Sequence, residues 1–226
     1  FLVAFRIPNF FRRLFAEGAF SQAFLPILAE TKANNNDQEV RLVINHIATK
    51  LLSVLMIITL IAVVASPLVI FIFAWGFYFK ADPYQFQLTT DMLRITFPYL
   101  LLISLTALSG SILNTYDNFS VPAFTPVLLN ISLILSAIYL SQFFDNPIMA
   151  LAWGVLIGGI LQLAFQIPFL RKIKKLPKLQ FGHHKTIDTL KKRMLPALFG
   201  VSVSQINLLV DTMIASTLIA GSVSWL

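Results

Sequence analysis

Six long apolar stretches constrain this chain more than any other feature of its sequence. They lie at about 1–29, 43–73, 91–114, 122–143, 147–170 and 194–220, and each is long enough to cross a bilayer as a helix. Inside lipid, a segment of this kind satisfies its own backbone hydrogen bonds only as a helix. Because 57% of the residues are hydrophobic, 12% are charged and the mean hydropathy is +0.79, the sequence predicts an all-α integral membrane protein, a polytopic helical bundle.

The two ends of the chain both lie in apolar sequence. Phe1 begins inside an apolar run, and Leu226 follows the first turn of a new one, which predicts a fragment of a longer protein. The chain contains no cysteine, so disulfides, a thiolate nucleophile and a cysteine-based zinc site are excluded.

An arginine pair interrupts the first apolar stretch near its middle. A charged side chain at the centre of a spanning helix costs roughly 2.5–3.5 kcal/mol, so Arg12 and Arg13 together cost about 5–7 kcal/mol before any partner is counted. At 100° per residue, Arg13 shares one helix wall with three other polar residues, while Arg12 lies about a third of a turn away. The wall comprises Arg6, Asn9, Arg13 and Glu17.

Two interpretations of the pair remain open on the residues alone. The arginines can extend to lipid headgroups, as most arginines near membrane segments do. Alternatively, Arg13 and Glu17 neutralise each other as i,i+4 neighbours, and Arg6 and Arg12 recognise an anion from elsewhere. Apolar sequence on both sides of the pair favours the second interpretation.

The motif also carries a family resemblance. RIPNFFRRLFAEGAFSQAFLPILAE resembles the second transmembrane helix of the MurJ/MviN lipid II flippases, which belong to the same superfamily as multidrug and polysaccharide exporters. The similarity continues through Ile95–Leu105, Ile112–Ser132, Ala150–Pro168, Gly200–Ser216 and the terminal GSVSW, so it covers nearly the whole chain.

The resemblance implies one lobe of a two-lobe alternating-access transporter plus the first helix of the second lobe. Five helices of the N-terminal lobe would occupy 1–170, with the first helix of that lobe missing. A basic cytoplasmic linker would span 171–193, and 194–226 would hold the first helix of the C-terminal lobe and the start of the next.

The same resemblance implies roles for individual residues. In the family, the first arginine of the PNxxRR motif lines a central cavity, which assigns Arg12 to the diphosphate of lipid II, the undecaprenyl-diphosphate-linked peptidoglycan precursor. Asn9 and Arg13 would support it in the cavity, Glu17 would be a charge partner, and Arg6 would be a further cation. The expected activity is transfer of that precursor from the inner to the outer leaflet.

Asp211 is the only acidic residue well inside the last apolar stretch. An isolated carboxylate there must be protonated, hydrogen-bonded or bound to a cation. A neutral or hydrogen-bonded Asp211 facing Thr212, Ser216 or a neighbouring helix is one interpretation. The resemblance implies the other, a sodium ligand, because some family members hold sodium with a carboxylate on this helix.

Lysine and arginine counts predict the orientation. The loops at 31–42, 115–121 and 171–193 lie on one side of the predicted bundle, and with Lys50 that side holds twelve Lys and Arg residues, most of them in the last loop. The opposite side holds only Lys80 and Arg94. The rule that positive loops are cytoplasmic therefore places these three loops inside a bacterial inner membrane. A binding patch for anionic lipid or an acidic partner is the rival interpretation of the basic loop.

Enzyme signatures are missing from the sequence. There is no HExxH, P-loop, GxSxG or aspartate-rich prenyl-diphosphate motif, and the three histidines lie in or near polar loops. The predicted protein is not an enzyme, needs no cofactor except a possible sodium ion, and binds lipid II and membrane lipids but no nucleic acid. Cell-wall synthesis proteins are candidate partners. The alternative functions are an exporter of drugs or of other polyprenyl-linked saccharides in the same superfamily, and a non-transporting membrane scaffold for cell-wall synthases.

Overall fold

The computed structural model describes residues 1–34, 37–74, 83–182 and 184–217, without the side chains of 14–17, 83, 203–209, 211–213 and 215–217. Every regular element in these ranges is helical, which confirms the all-α prediction. The helices are α1 (Leu2–Phe11), α2 (Ser21–Ala33), α3 (Asp37–Val64), α4 (Ser66–Phe73), α5 (Pro83–Thr96), α6 (Tyr99–Thr115), α7 (Ser120–Leu135), α8 (Met149–Lys172) and α9 (Lys185–Thr217). Two π-helical segments, Arg12–Phe20 and Ser136–Leu140, and a 3₁₀ turn, Ser141–Phe143, complete the described elements.

Four helical stretches of the described chain are long and apolar enough to cross a membrane: Asp37–Val64, Tyr84–Thr115, Ser120–Phe143 and Met149–Lys172. The span predicted at 43–73 is interrupted, because the chain turns at Ala65 and restarts as α4 with Pro67 in its first turn. Proline cannot donate its backbone N–H and clashes with the preceding helical turn, so a new helix begins there.

Small residues bring α7 and α8 close together. A Cβ atom on Gly158 would lie 2.7 Å from Leu129 Cδ1 and 3.2 Å from the Leu129 backbone. One turn away, the Ser132 hydroxyl donates a 2.7 Å hydrogen bond to the carbonyl of Gly154. The Gly154–x–x–x–Gly158 pattern is therefore a packing motif within this bundle, as small-residue spacing predicts in membrane helices.

The core between α2, α3 and α6 is apolar. Phe20 and Phe24 stack with their ring centroids 5.2 Å apart, and both rings are fully buried with Ile44, Ile112 and Leu113. Tight burial of this layer holds α2 in place.

The three loops predicted to share a side do lie together. The Lys32 ammonium donates a 2.6 Å hydrogen bond to the carbonyl of Thr115, and the buried Lys175 ammonium forms an ion pair with Asp37. The Tyr116 ring lies against both ammonium groups, with its centroid 4.6 Å from Lys32 Nζ and 5.6 Å from Lys175 Nζ. Residues of all three loops therefore meet on one face of the bundle.

The linker after α8 is bound to α3. Its nonhelical part is shorter than the predicted 171–193, since α8 continues to Lys172 and α9 begins at Lys185. The backbone N–H of Lys178 donates to Asn45 Oδ1, and that of Gln180 donates to the Thr49 hydroxyl, both at 2.8 Å. These bonds satisfy the backbone of an extended segment that has no strand partner among the described residues.

Candidate functional site

The arginine pair lies at the start of a π-helical segment, Arg12–Phe20, between α1 and α2. In this winding each N–H bonds five residues back, one more than in an α-helix, and such segments often occur at functional sites. The prediction from sequence assumed regular α-helical spacing through this stretch, and the structure corrects that assumption. Clustered charge in an apolar helix, Gly18 and the flanking Pro8 and Pro26 were the signals of irregularity in the sequence.

Arg12 is held by Asn9. Its Nε donates a 2.9 Å hydrogen bond to Asn9 Oδ1, on the last turn of α1, and both side chains are partly buried. The regular helical wheel placed Arg12 about a third of a turn from the Asn9 wall, whereas the structure joins the two side chains. Because the Asn9 side chain is hydrogen-bonded to one nitrogen of the Arg12 guanidinium, it limits the orientations in which that guanidinium can bind an anion.

The other predicted site residues differ in exposure. Arg6, nearly two turns before Arg12, is partly buried, and Arg13 is exposed. The structure therefore brings Asn9 and Arg12 together and places Arg13 in a more open environment. The side chains of Glu17 and Asp211 lie outside the described residues, so their predicted roles as charge partner and sodium ligand stay predictions.

Helix α9 packs directly on the arginine-bearing segment. A Cβ on Gly18 would lie 2.9 Å from Val201 Cγ2, and the Arg193 guanidinium pairs with the two carboxylate oxygens of Glu30 at 3.1 and 3.2 Å. These two contacts show that α9 runs antiparallel to α2. Asp211 follows Val201 by ten residues, about 15 Å along the helix axis, and α9 also contacts α1.

The site offers cations and amides but no preformed metal centre in the part of the chain that the structure describes. No group of three or more His, Asp or Glu residues is arranged there to hold a metal ion. What the described residues provide is a half-buried guanidinium within an otherwise apolar helical stretch, and such a group suits an anionic ligand.

A helical bundle with several segments long and apolar enough to cross a bilayer, and with a guanidinium inside its first helix, defines a multi-pass membrane protein. The chain belongs to the lipid II flippase MurJ family, whose model matches residues 1–226.

Individual relatives agree with the family assignment. The chain is 47% identical over 232 residues to a probable lipid II flippase MurJ of Haemophilus influenzae, and 42% identical over 231 residues to the lipid II flippase MurJ of Burkholderia cenocepacia. Both matches cover 100% of this chain, but only 46% and 44% of those proteins. The chain therefore spans about half the length of the curated relatives it matches.

A solved structure shows the same fold. It is a lipid II flippase MurJ in an inward closed conformation, with a TM-score of 0.81 and 29% sequence identity, covering 99% of this chain and 45% of that one. The match shows that the fold of this chain is that of the corresponding part of a MurJ flippase.

Proposed function

We propose that the intact protein is a flippase that moves lipid II from the inner to the outer leaflet of the bacterial cytoplasmic membrane for cell-wall synthesis. The observation that carries the proposal is the guanidinium of Arg12, bonded to Asn9 at the start of the π-helical segment, in a chain whose whole length matches the MurJ family. A transporter of this kind binds and releases its cargo without changing it, so no catalytic residue is assigned.

Arg12 suits the diphosphate of that cargo. A diphosphate crossing hydrocarbon needs a cation in place of water, and guanidinium provides planar, paired N–H donors that match phosphate oxygens. Holding such a residue inside a membrane helix costs roughly 2.5–3.5 kcal/mol, an expense that favours a functional role over a packing role. Arg6 and Arg13 supply further positive charge along the same helix.

The division of the chain follows from the proposed mechanism. Residues 1–170 would form the N-terminal lobe, 171–193 the cytoplasmic linker, and 194–226 the start of the second lobe. Contact of α9 with the arginine-bearing segment at Gly18 and Val201 would let a movement between lobes change the surroundings of Arg12. Lipid II and membrane lipids are the proposed partners, and cell-wall synthesis proteins remain predicted ones.

Substitution of Arg12 in the full-length protein tests the proposal. Arg12→Ala should abolish flipping, since losing charge-assisted bonds to the diphosphate costs about 2 kcal/mol or more of binding free energy. Arg12→Lys should restore only part of the activity, because ammonium lacks the bidentate geometry. The measurement is the leaflet distribution of lipid II in cells that carry each variant as the only copy.

Arg171→Ala is the matched control, because Arg171 is an exposed arginine at the end of α8 and far along the chain from the site. It should leave flipping unchanged. Normal growth and a normal leaflet distribution with Arg12→Ala as the only copy would contradict the assignment of Arg12. If depletion of the whole protein left lipid II distribution unchanged while cell-wall synthesis stopped, the scaffold alternative would replace the flippase.

A further inference from the structure

A basic pocket of about 180 Å³ lies where α3 begins and α8 ends, on the predicted cytoplasmic face. Four cationic side chains line it: Arg41 from α3, and Lys174, Lys175 and Lys178 from the linker. One carboxylate, Asp37, pairs with two of them, Lys175 and Arg41. Lys174 and Lys178 are exposed, and their ammonium groups form no ion pair with the described part of the chain. The pocket therefore keeps positive charge that an anion can reach.

Lys174 has a backbone conformation that usually belongs to glycine. Its φ is +57°, just after the last turn of α8, where its N–H donates to the carbonyl of Arg171 and the N–H of Lys175 donates to the carbonyl of Leu170, both at 3.0 Å. Glycine is common at this position of a helix end because it has no Cβ to clash there. Strained backbone of this kind clusters at functional sites. A lysine in place of glycine therefore favours a role for its charge.

An apolar groove of about 190 Å³ adjoins the basic pocket. Its walls are α3, α6 and α8, and the linker closes one end. Leu176 and Lys178 line both the groove and the pocket. Leu163, the groove residue of α8 farthest from the linker, precedes Lys172 at the helix end by nine residues, about 13 Å along the axis. One leaflet of hydrocarbon is about 15 Å thick, so the groove has the depth that a lipid acyl chain needs.

The linker lies between the pocket and the groove and is attached to α3. The backbone N–H of Lys178 donates to Asn45 Oδ1 at 2.8 Å, and Asn45 Nδ2 donates to Gln180 Oε1 at 3.1 Å. Just beyond, the linker exposes two large apolar side chains, Leu179 at 67% and Phe181 at 78%. Basic residues alternating with exposed apolar ones are typical of a segment that lies at a membrane surface.

We propose that the pocket and the groove together bind one anionic phospholipid, with its phosphate at Lys174 and Lys178 and one acyl chain in the groove. A soluble phosphate would use the cations but leave the groove uncovered. A zwitterionic lipid would fill the groove but bring an ammonium group next to the lysines. Lysines beside a membrane attract anionic lipids, so an anionic phospholipid matches both parts of the site. The inference does not depend on the cargo assigned to Arg12.

Titration of the purified full-length protein in a neutral detergent tests the site. Dioctanoyl phosphatidylglycerol is the anionic probe, dioctanoyl phosphatidylcholine is the zwitterionic probe, and inorganic phosphate supplies the anion without acyl chains. The anionic lipid should bind most tightly and raise the melting temperature most. Phosphate binding as tight as that of the anionic lipid, or equal binding of the two lipids, would overturn the proposal.

Lys174→Gly combined with Lys178→Gln removes both exposed charges from the pocket. Glycine is the usual residue at position 174 of such a helix end, so the fold should be kept. Each lysine should contribute about fivefold to affinity, so the double variant should bind the anionic lipid about 25-fold more weakly. Its binding of the zwitterionic lipid should not change.

Lys172→Gln is the matched control for the charge. Lys172 is an exposed lysine two residues before Lys174, and it does not line the pocket. Lys172→Gln should change the affinity for the anionic lipid less than twofold, whereas Lys174→Gly alone should lower it about fivefold. Equal losses for these two single variants would mean that the basic face attracts lipid without a defined site.

The groove has its own test. Leu163→Trp should fill the groove and weaken the binding of both lipids, while the preference for the anionic lipid remains. Leu105→Trp, on the α6 wall of the groove, should do the same and replaces Leu163→Trp if that variant does not fold. Unchanged binding in the folded variant would show that no acyl chain lies in the groove, and the phospholipid site would fall.

The phospholipid site and the proposed function can fail separately. Arg12→Ala should leave the binding of the anionic phospholipid unchanged, and Lys174→Gly with Lys178→Gln should leave the binding of lipid II unchanged. Loss of lipid II binding in that double variant would assign the pocket to the cargo and overturn the phospholipid proposal.

Discussion

At the scale of the residue, the two members of the ion pair between Lys175 and Asp37 differ in their exposure to solvent. The Lys175 side chain is 2% exposed and the Asp37 side chain 64% exposed. Asp37 also accepts from Arg41 at 3.2 Å, and its backbone carbonyl lies 3.4 Å from Lys175 Nζ. Water can solvate the carboxylate if the pair is broken, but it cannot reach the ammonium.

This asymmetry predicts different costs for the two halves of the pair. Asp37→Ala leaves a buried ammonium without its carboxylate and should therefore lower the melting temperature more than loss of the ammonium does. Lys175→Met keeps the apolar stem and leaves only a solvated carboxylate, so it should cost less than about 1 kcal/mol. Thermal unfolding of the full-length variants in detergent measures both, and a larger loss for Lys175→Met would contradict the argument.

At the scale of the element, Gly18 joins the π-helical segment to α9. A Cβ there would lie 2.6 Å from the Arg13 carbonyl oxygen and 2.9 Å from Val201 Cγ2. The first contact is with the backbone of its own helix, and the second is with a valine whose other methyl, Cγ1, is also only 3.0 Å away, so rotating the Val201 side chain would not relieve it. Glycine at this position permits the wide winding and the close approach of α9 together.

Gly18→Ala should therefore destabilise the protein by about 1–3 kcal/mol and impair flipping, because either the winding or the position of α9 must change. Gly200→Ala is the matched control, since a Cβ on Gly200, next to Val201, meets nothing within 4 Å. Alanine in that helical position should be neutral or stabilise by up to about 1 kcal/mol. Equal melting temperatures and equal flipping for the two variants would show that the contact at Gly18 is unimportant.

At the scale of the whole molecule, the linker and α9 are attached to the bundle at several points. The linker backbone donates to Asn45 and Thr49 on α3, and Arg193 pairs with Glu30 at the end of α2. Through this ion pair, the start of α9 contacts the face of the bundle that carries the three predicted cytoplasmic loops. Its later residues run along the arginine-bearing segment toward α1.

Asp211, on this later part of α9, is the predicted link between ion binding and lobe movement. Oxygen ligands suit a hard cation, so Asp211→Asn should reduce the sodium dependence of flipping in the full-length protein without destroying the fold. Sodium should also raise the melting temperature of the wild type more than potassium does, and Asp211→Asn should remove that difference. Activity and melting temperature indifferent to sodium in both proteins would leave Asp211 as a structural or proton-linked residue.

Local sequence determined the class of protein and much of the architecture. Long apolar runs allow only helices in a bilayer, and the Gly154–x–x–x–Gly158 spacing requires a close partner helix because small residues expose the backbone. The arginine pair could be predicted as an anion site because charge inside an apolar run is costly wherever the helix packs. Successive loops of a membrane bundle alternate between its two sides. This alternation and the Lys and Arg counts likewise predicted that the loops at 31–42, 115–121 and 171–193 would share one face.

Only the tertiary structure decided the winding of Arg12–Phe20, the bond from Arg12 to Asn9, and the different environments of Gln162 and Gln166. A helical wheel assumes one spacing throughout, whereas the π-helical segment contains Gly18, which packs closely against Val201 on a helix far along the chain. Two glutamines one turn apart look alike in sequence, yet Gln162 is hydrogen-bonded at both ends of its amide, while Gln166 Oε1 has no partner in the described part of the chain. Their hydrogen bonds depend on which atoms of α6 and α7 come within about 3 Å, and that is a property of the packed bundle.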